Sequence, residues 1–202
     1  MSPLIDFRRM YSASMLENCT KPCSMNRRIW PTHFASAALQ AFSDEATGWV
    51  RRVHCPLEDL QESNIEKVDL VLGFDVFEQL EDVRTALQAI WTLLNPGGRA
   101  VQRIDYSAHG VWRTAEHPLQ FLTVPKWLWE AMGSNRDDEN RIGHYQVLAM
   151  AREIGFETTV LHESRYDDAV VNGILPQLRR RWPERGREDF CVKNALVCFK
   201  KE

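Results

Sequence analysis

Thirty-seven consecutive residues, 68–104, constrain the fold more than any other part of this chain. Val68-Asp69-Leu70-Val71-Leu72-Gly73-Phe74 is nearly continuous in apolar residues, which suits a strand covered on both faces. Leu80, Val83, Leu87, Ile90, Trp91 and Leu94 then recur at the spacing of one helix face. Asn95-Pro96-Gly97-Gly98 stops that helix, because proline cannot continue it and glycine accepts the backbone angles of the exit turn. Residues 99–104 read as a second strand. Strand, helix, stop and strand make one βαβ unit, whose crossover is expected to be right-handed.

The rest of the chain extends the alternation. Residues 1–31 are polar, without a sustained period, and read as an irregular segment. Phe34, Ala37, Ala38, Ala41 and Phe42 predict a helix that opens at Thr32 and ends at Thr47-Gly48. Residues 49–54 read as a short strand, stopped by Pro56. Further on, Pro125 starts a short helix carrying Trp127, Leu128 and Met132. Ile142, Tyr145, Leu148 and Ala149 stripe the next helix, and Gly155 stands where its C-terminal cap belongs. Residues 156–161 and 195–199 read as strands, with a helix near 175–182 between them. The expected architecture is α/β, with an irregular segment at 1–31 and the folded domain at 32–202.

Composition narrows the function classes. A chain of 202 residues can bury a core without disulfide or metal staples. Its net charge of −3 does not call for nucleic acid or an anionic membrane as a partner. Arg179-Arg180-Arg181 reads as a solvated helix end. No apolar run approaches the ~20 residues of a spanning helix. Five scattered cysteines make no disulfide framework, so a reducing, cytoplasmic setting is expected. Cys19 and Cys23, with His54 and Cys55 elsewhere, are too loosely spaced for a zinc site, and no metal is expected.

Two motifs carry a resemblance. Val68-Asp69-Leu70-Val71 through Phe77-Glu78-Gln79-Leu80-Glu81-Asp82 resembles the fourth-strand region of class I S-adenosylmethionine-dependent methyltransferases. Leu93-Leu94-Asn95-Pro96-Gly97-Gly98 is similar to their turn into the fifth strand. Ile104-Asp105-Tyr106-Ser107-Ala108-His109 and Asn140-Arg141 with Tyr145 are similar to a bacterial subgroup of that family. The resemblance covers roughly residues 49–200. It implies a Rossmann-like sheet with helices on both faces, S-adenosylmethionine as cofactor, and a small-molecule or sugar-like methyl acceptor.

In open parallel sheets ligands sit beyond the carboxyl ends of the strands. The resemblance therefore implies Leu57 and Glu58 beside the adenine, and Phe74 and Asp75 near the methionine portion. Asp75 and Glu78 can equally begin the following helix, where carboxylates favour the N-terminal dipole. His109, with Asp105, is the candidate to take a proton from the acceptor. Arg141 and Tyr145 are candidates to bind an anionic or sugar-like acceptor, or else a helix-end charge and a packing ring.

One part of the family pattern is missing. Its glycine-rich turn lets backbone approach the cofactor where a side chain would collide. The first glycine here is Gly48, and no G-x-G occurs in the sequence. Gln79 replaces the usual histidine after Glu78, and Ala108 replaces an aspartate of the subgroup. The chain therefore reads as truncated at its N-terminus, lacking the first strand and the glycine loop. Those departures count against catalysis by this chain, and a non-catalytic methyltransferase-like scaffold or binding module is the alternative. In the family the first strand lies beside the fourth, so its loss would leave the 68–74 edge open. That edge is expected to pair with the N-terminal region, with residues 49–54, or with a second copy in a homodimer.

Overall fold

The computed structural model describes residues 5–6, 57, 66–114, 117–132 and 140–202. The helix expected at 32–47, the strand expected at 49–54 and Cys19, Cys23, His54 and Cys55 lie outside them. Among the described residues, five strands form one sheet in the order β1-β2-β3-β5-β4. Strands β1 (Ile5–Asp6), β2 (Val68–Phe74) and β3 (Leu94–Asp105) run parallel. Strand β5 (Val192–Lys200) is antiparallel to β3, and the edge strand β4 (Glu157–Arg165) is antiparallel to β5. The 68–74 edge is thus met by the chain's own N-terminal region, with Ile5 opposite Val71 and Asp6 opposite Leu72.

The βαβ unit forms as its sequence predicts. Asp82 caps helix α1 (Val83–Leu93), accepting from the Thr85 N–H at 3.0 Å and the Thr85 hydroxyl at 2.7 Å. The cap is thus Asp82, and neither Asp75 nor Glu78 begins this helix. Helix α1 ends at Leu93, and β3 begins at once with Leu94 opposite Val68. The next pair is Leu70 with Arg99, so Asn95, Pro96, Gly97 and Gly98 bulge out of the ladder. Gly97 has φ +78°, which an L side chain resists. The C-terminus locks this bulge: the Gly97 N–H donates to the Lys201 carbonyl at 2.8 Å, and the Lys201 N–H to the Gly98 carbonyl at 2.9 Å.

A first hydrophobic cluster joins Val68 and Val71 of β2, Leu87 and Ile90 of α1, Ile104 of β3 and Phe199 of β5. Helix α3 (His144–Ile154) closes it with Val147, Leu148 and Ala151. Each fully buried Leu or Ile stabilises this packing by ~1.5–3 kcal/mol. The stripe of α3 is not the expected one. Ile142 precedes the helix, and Tyr145 and Ala149 face outward, because the helix opens at His144. Gly155 does cap it, at φ +118°, with the Trp91 ring 3.0 Å from where a Cβ would stand.

A second cluster gathers Ala108, Phe121, Leu122, Trp129, Val171, Leu178 and Phe190. It is built by α2 (Lys126–Ala131), α4 (Asp168–Arg181), α5 (Arg187–Cys191) and the short turns before α2. In α2 the sequence pointed to Trp127 and Leu128, yet both are exposed and Trp129 is buried. Arg179, Arg180 and Arg181 occupy the exposed last turn of α4, where cations oppose the helix dipole. No helix among the described residues is long and apolar enough to cross a membrane.

Candidate functional site

Because β2 and β3 are parallel neighbours, their carboxyl ends open side by side. The Asp75 N–H donates to the Arg103 carbonyl at 2.9 Å, carrying the ladder one step past Phe74. Phe74 is 50% exposed there. Asp75 has φ 54°, a left-handed conformation that aspartate tolerates better than most residues. Its carboxylate is paired with the Arg103 guanidinium. Burial pushes the Asp75 pKa above the usual range, against the pull of Arg103.

A 3-10 turn, Phe77–Gln79, follows. Phe77 is fully buried and stacks on Phe199 with ring centroids 6.2 Å apart. Anchoring Phe77 carries the next side chain inward, and Glu78 is only 4% exposed. Neither Oε1 nor Oε2 of Glu78 has a hydrogen-bond partner. Burial pushes its pKa up to about 8, so the carboxyl is mostly protonated at neutral pH.

At the end of β3, Asp105 behaves in the opposite way. Its Oδ1 accepts the Ser107 N–H at 2.9 Å, and its Oδ2 lies 3.6 Å from His109 Nε2. Burial alone would raise its pKa; the hydrogen bonds from His109 and Ser107 outweigh that and hold it at about 2. One strand-end carboxyl is therefore ionised and its neighbour protonated, the kind of division that separates basic from acidic roles.

Glu78 and Asp105 open into a narrow pocket walled by Tyr106, Asn140, Arg141, Arg185, Asp189 and aromatic residues of the second cluster. Asn140 is fixed by donating to the Phe77 and Leu80 carbonyls at 2.6 and 2.9 Å. Arg141, at φ 60°, lays its guanidinium over the Trp129 ring at 4.5 Å and the Trp182 ring at 5.2 Å. It also donates to the Val124 carbonyl at 2.8 Å. The Tyr106 hydroxyl is 3.3 Å from His144 Nδ1. Burial raises the Tyr106 pKa well above its ordinary value and lowers that of His144, so both are neutral.

The structure brings Phe74, Asp75, Asp105 and His109 together, as the strand-end rule requires. Leu57 is half-buried against the first cluster, and Glu58 lies outside the described residues. Arg141 reaches the pocket as a buried wall. Tyr145 does not: it is 45% exposed, and its ring packs edge-on against His144. Sequence reasoning missed Glu78 as a pocket group, and with it Tyr106, Arg185 and Asp189. Arg185 and Asp189 stand four apart, the spacing of a helical ion pair, but spacing says nothing of burial. Among the described residues no three His, Cys, Asp or Glu side chains form a group able to hold a metal.

Residues 12–102 match the family model described as "Methyltransferase domain". The match begins upstream of residue 49, where the resemblance in the motifs starts. Over 89 residues the chain is 37% identical to a tRNA 5-carboxymethoxyuridine methyltransferase of Escherichia coli, covering 44% of this chain and 32% of that one. The chain thus spans about a third of the length of the curated relative it matches. Among solved structures, it is 16% identical to the YcgJ protein from Bacillus subtilis, with a TM-score of 0.48 over 83% of this chain and 76% of that one. It is also 16% identical to the N-methyltransferase NodS from Bradyrhizobium japonicum in complex with S-adenosyl-L-homocysteine, with a TM-score of 0.38 over 85% and 63% of the two chains.

Proposed function

We propose that this chain, which matches a methyltransferase-domain model over residues 12–102, is a class I S-adenosylmethionine-dependent methyltransferase that binds S-adenosylmethionine and directs a methyl group to a small-molecule acceptor. The observation that carries the reading is the strand-end cluster of Phe74, Asp75, Asp105 and His109, set where an open α/β sheet receives its ligand.

The residues at the end of β2 suit the cofactor's chemistry. Phe74 offers an exposed apolar ring and Asp75 a carboxylate, matched to the apolar and ammonium parts of the methionine portion. Leu57 and Glu58 complete the assignment on the adenine side. When bound, S-adenosylmethionine supplies a methyl group activated by a positively charged sulfur. Little covalent chemistry is left to the protein, whose task is alignment and proton removal. His109 turns Nε2 toward the ionised Asp105, 3.6 Å away, and is the side chain proposed to take the acceptor's proton. The pocket around Glu78 receives the acceptor, with Arg141 as a wall, and Tyr145 has no part in it. The domain proposed for this activity is residues 32–202, with Ile5–Asp6 added at its sheet edge as β1.

Calorimetric titration with S-adenosylmethionine and S-adenosylhomocysteine tests the reading. Micromolar binding is the expected result, and no heat at millimolar ligand overturns it. A second reading, a methyltransferase-like module that binds without catalysing, is favoured by one observation: the sequence contains no G-x-G. No detectable binding of S-adenosylmethionine or S-adenosylhomocysteine at millimolar ligand would select it.

A further inference from the structure

Glu78 is the carboxyl group in the pocket whose chemistry the fold leaves unanswered. Its side chain is almost wholly buried, both carboxyl oxygens lack partners, and it shares the pocket with Asp105. A buried polar group without a partner costs free energy and needs a reason, such as a ligand that supplies the missing bonds. The other charged walls are already engaged. Arg185 is bound to Asp189 and to the Arg141 carbonyl, and Arg141 is held by Val124 and two indole rings. What Glu78 lacks is therefore a donor. Two carboxyl groups and the rings of Tyr106, Phe121 and Phe190 are the surroundings that favour a cationic amine.

We propose that the pocket at Glu78 is a subsite for a primary or secondary amine, and that Glu78 receives its protonated nitrogen. This rests on the methyl-transfer reading, and it names the acceptor class as amines. As the ammonium enters, Glu78 gives up its proton to solvent and the two opposite charges enter the pocket together, so its net charge does not change. A hydroxyl-bearing ligand would leave the Glu78 proton in place. That difference in proton count separates the two chemistries.

The test uses the full chain with carbon-13 in its glutamate carboxyls and methylammonium chloride as probe. Glu78→Gln identifies the resonance, which is expected to titrate near pH 8 in the protein alone. Methylammonium is expected to lower that midpoint by at least about one unit, a tenfold preference of the amine for the ionised form. Methanol and potassium chloride at equal concentration are expected to leave it in place. Should methylammonium shift the midpoint no more than methanol does, the proposal fails. It fails equally if S-adenosylhomocysteine alone moves the midpoint as far, since the carboxyl would then belong to the cofactor. Proton release on methylammonium binding, measured by calorimetry in two buffers of different ionisation heat, gives the same reading without a variant. S-adenosylhomocysteine binding, measured separately, distinguishes failure of this subsite from failure of the methyl-transfer reading.

Discussion

Asp189 Oδ2 accepts a hydrogen bond from Arg185 Nε at 2.5 Å, and both side chains are only 3% exposed. The other carboxylate oxygen accepts the Tyr145 N–H at 2.9 Å, in the first turn of α3. Arg185 in turn donates to the Arg141 carbonyl at 3.2 Å. One ion pair therefore ties α5, the start of α3 and the pocket wall together. The backbone must also come close, because a Cβ on Gly143 would stand 2.0 Å from Asp189 Oδ2.

Removing one partner of such a pair strands the other as a buried charge. Asp189→Ala is expected to cost about 3–5 kcal/mol of stability, the range for breaking a buried ion pair. Replacing both partners with apolar residues of similar volume is expected to cost less than either single change. Urea unfolding followed by circular dichroism measures both; a double-variant cost equal to the sum of the two single costs would show that the two charges do not depend on each other.

Glu78 predicts a pH dependence of the opposite sense to most carboxylates. Its folded pKa, about 8, lies above the ordinary 4.5, so between these values the folded chain binds more protons than the unfolded one. Stability from this group is complete below pH 4.5 and is lost as pH rises through about 8. Glu78→Gln keeps the shape and removes the ionisation. It is expected to flatten that decline, and at pH 9 to be more stable than the parent by ~2–3 kcal/mol, about the cost of a buried unpartnered charge. Thermal melts from pH 5 to pH 9 compare the two chains.

The βαβ unit was legible because its signals are local: an apolar run, a helical period, and proline with glycine at the stop. Trp129 and α3 were less so. Which tryptophan of α2 turns inward depends on Arg141 and on the second cluster, distant in sequence. The stripe of α3 was misplaced because Ile142, although apolar, lies before the first turn. Asp75, Asp105 and His109 were singled out as candidates from the resemblance and the strand-end rule. Glu78 was seen only as a helix-start acid, since burial by the anchoring of Phe77 leaves no mark in sequence.

Lys201 is expected to matter more than its place at the chain end suggests. Its Nζ donates to the Trp91 carbonyl at 2.7 Å and the Leu94 carbonyl at 2.9 Å, and it lies 5.0 Å from the Trp91 ring centroid. It closes the C-terminal end of α1, where the last carbonyls have no partner in the helix. Lys201→Met keeps the stem and loses both bonds, at an expected cost of ~1–3 kcal/mol. Lys201→Arg is expected to restore part of it. Chemical unfolding reads both, and no change in Lys201→Met would assign the end of α1 to packing alone.

The pair of Asp105 and His109 gives a prediction with two separate readouts. Asp105 is held at about 2, below the ordinary 3.8, by its bonds to His109 and Ser107 against the opposing effect of burial. Its contribution to stability is present above pH 3.8 and is lost as pH falls through about 2, so Asp105→Asn is expected to lose the steepest part of the acid transition. Under the proposed function, His109→Ala is expected to lower kcat by about 10²–10⁴-fold, the usual worth of a proton-transfer group. The affinity for S-adenosylhomocysteine should be unchanged, because the imidazole acts on the acceptor. Asp105→Asn should fall between the parent and His109→Ala, since the ring remains but loses the charge that steadies it. A His109→Ala variant with undiminished kcat would remove the imidazole from the chemistry and leave the dyad a structural feature of the strand end.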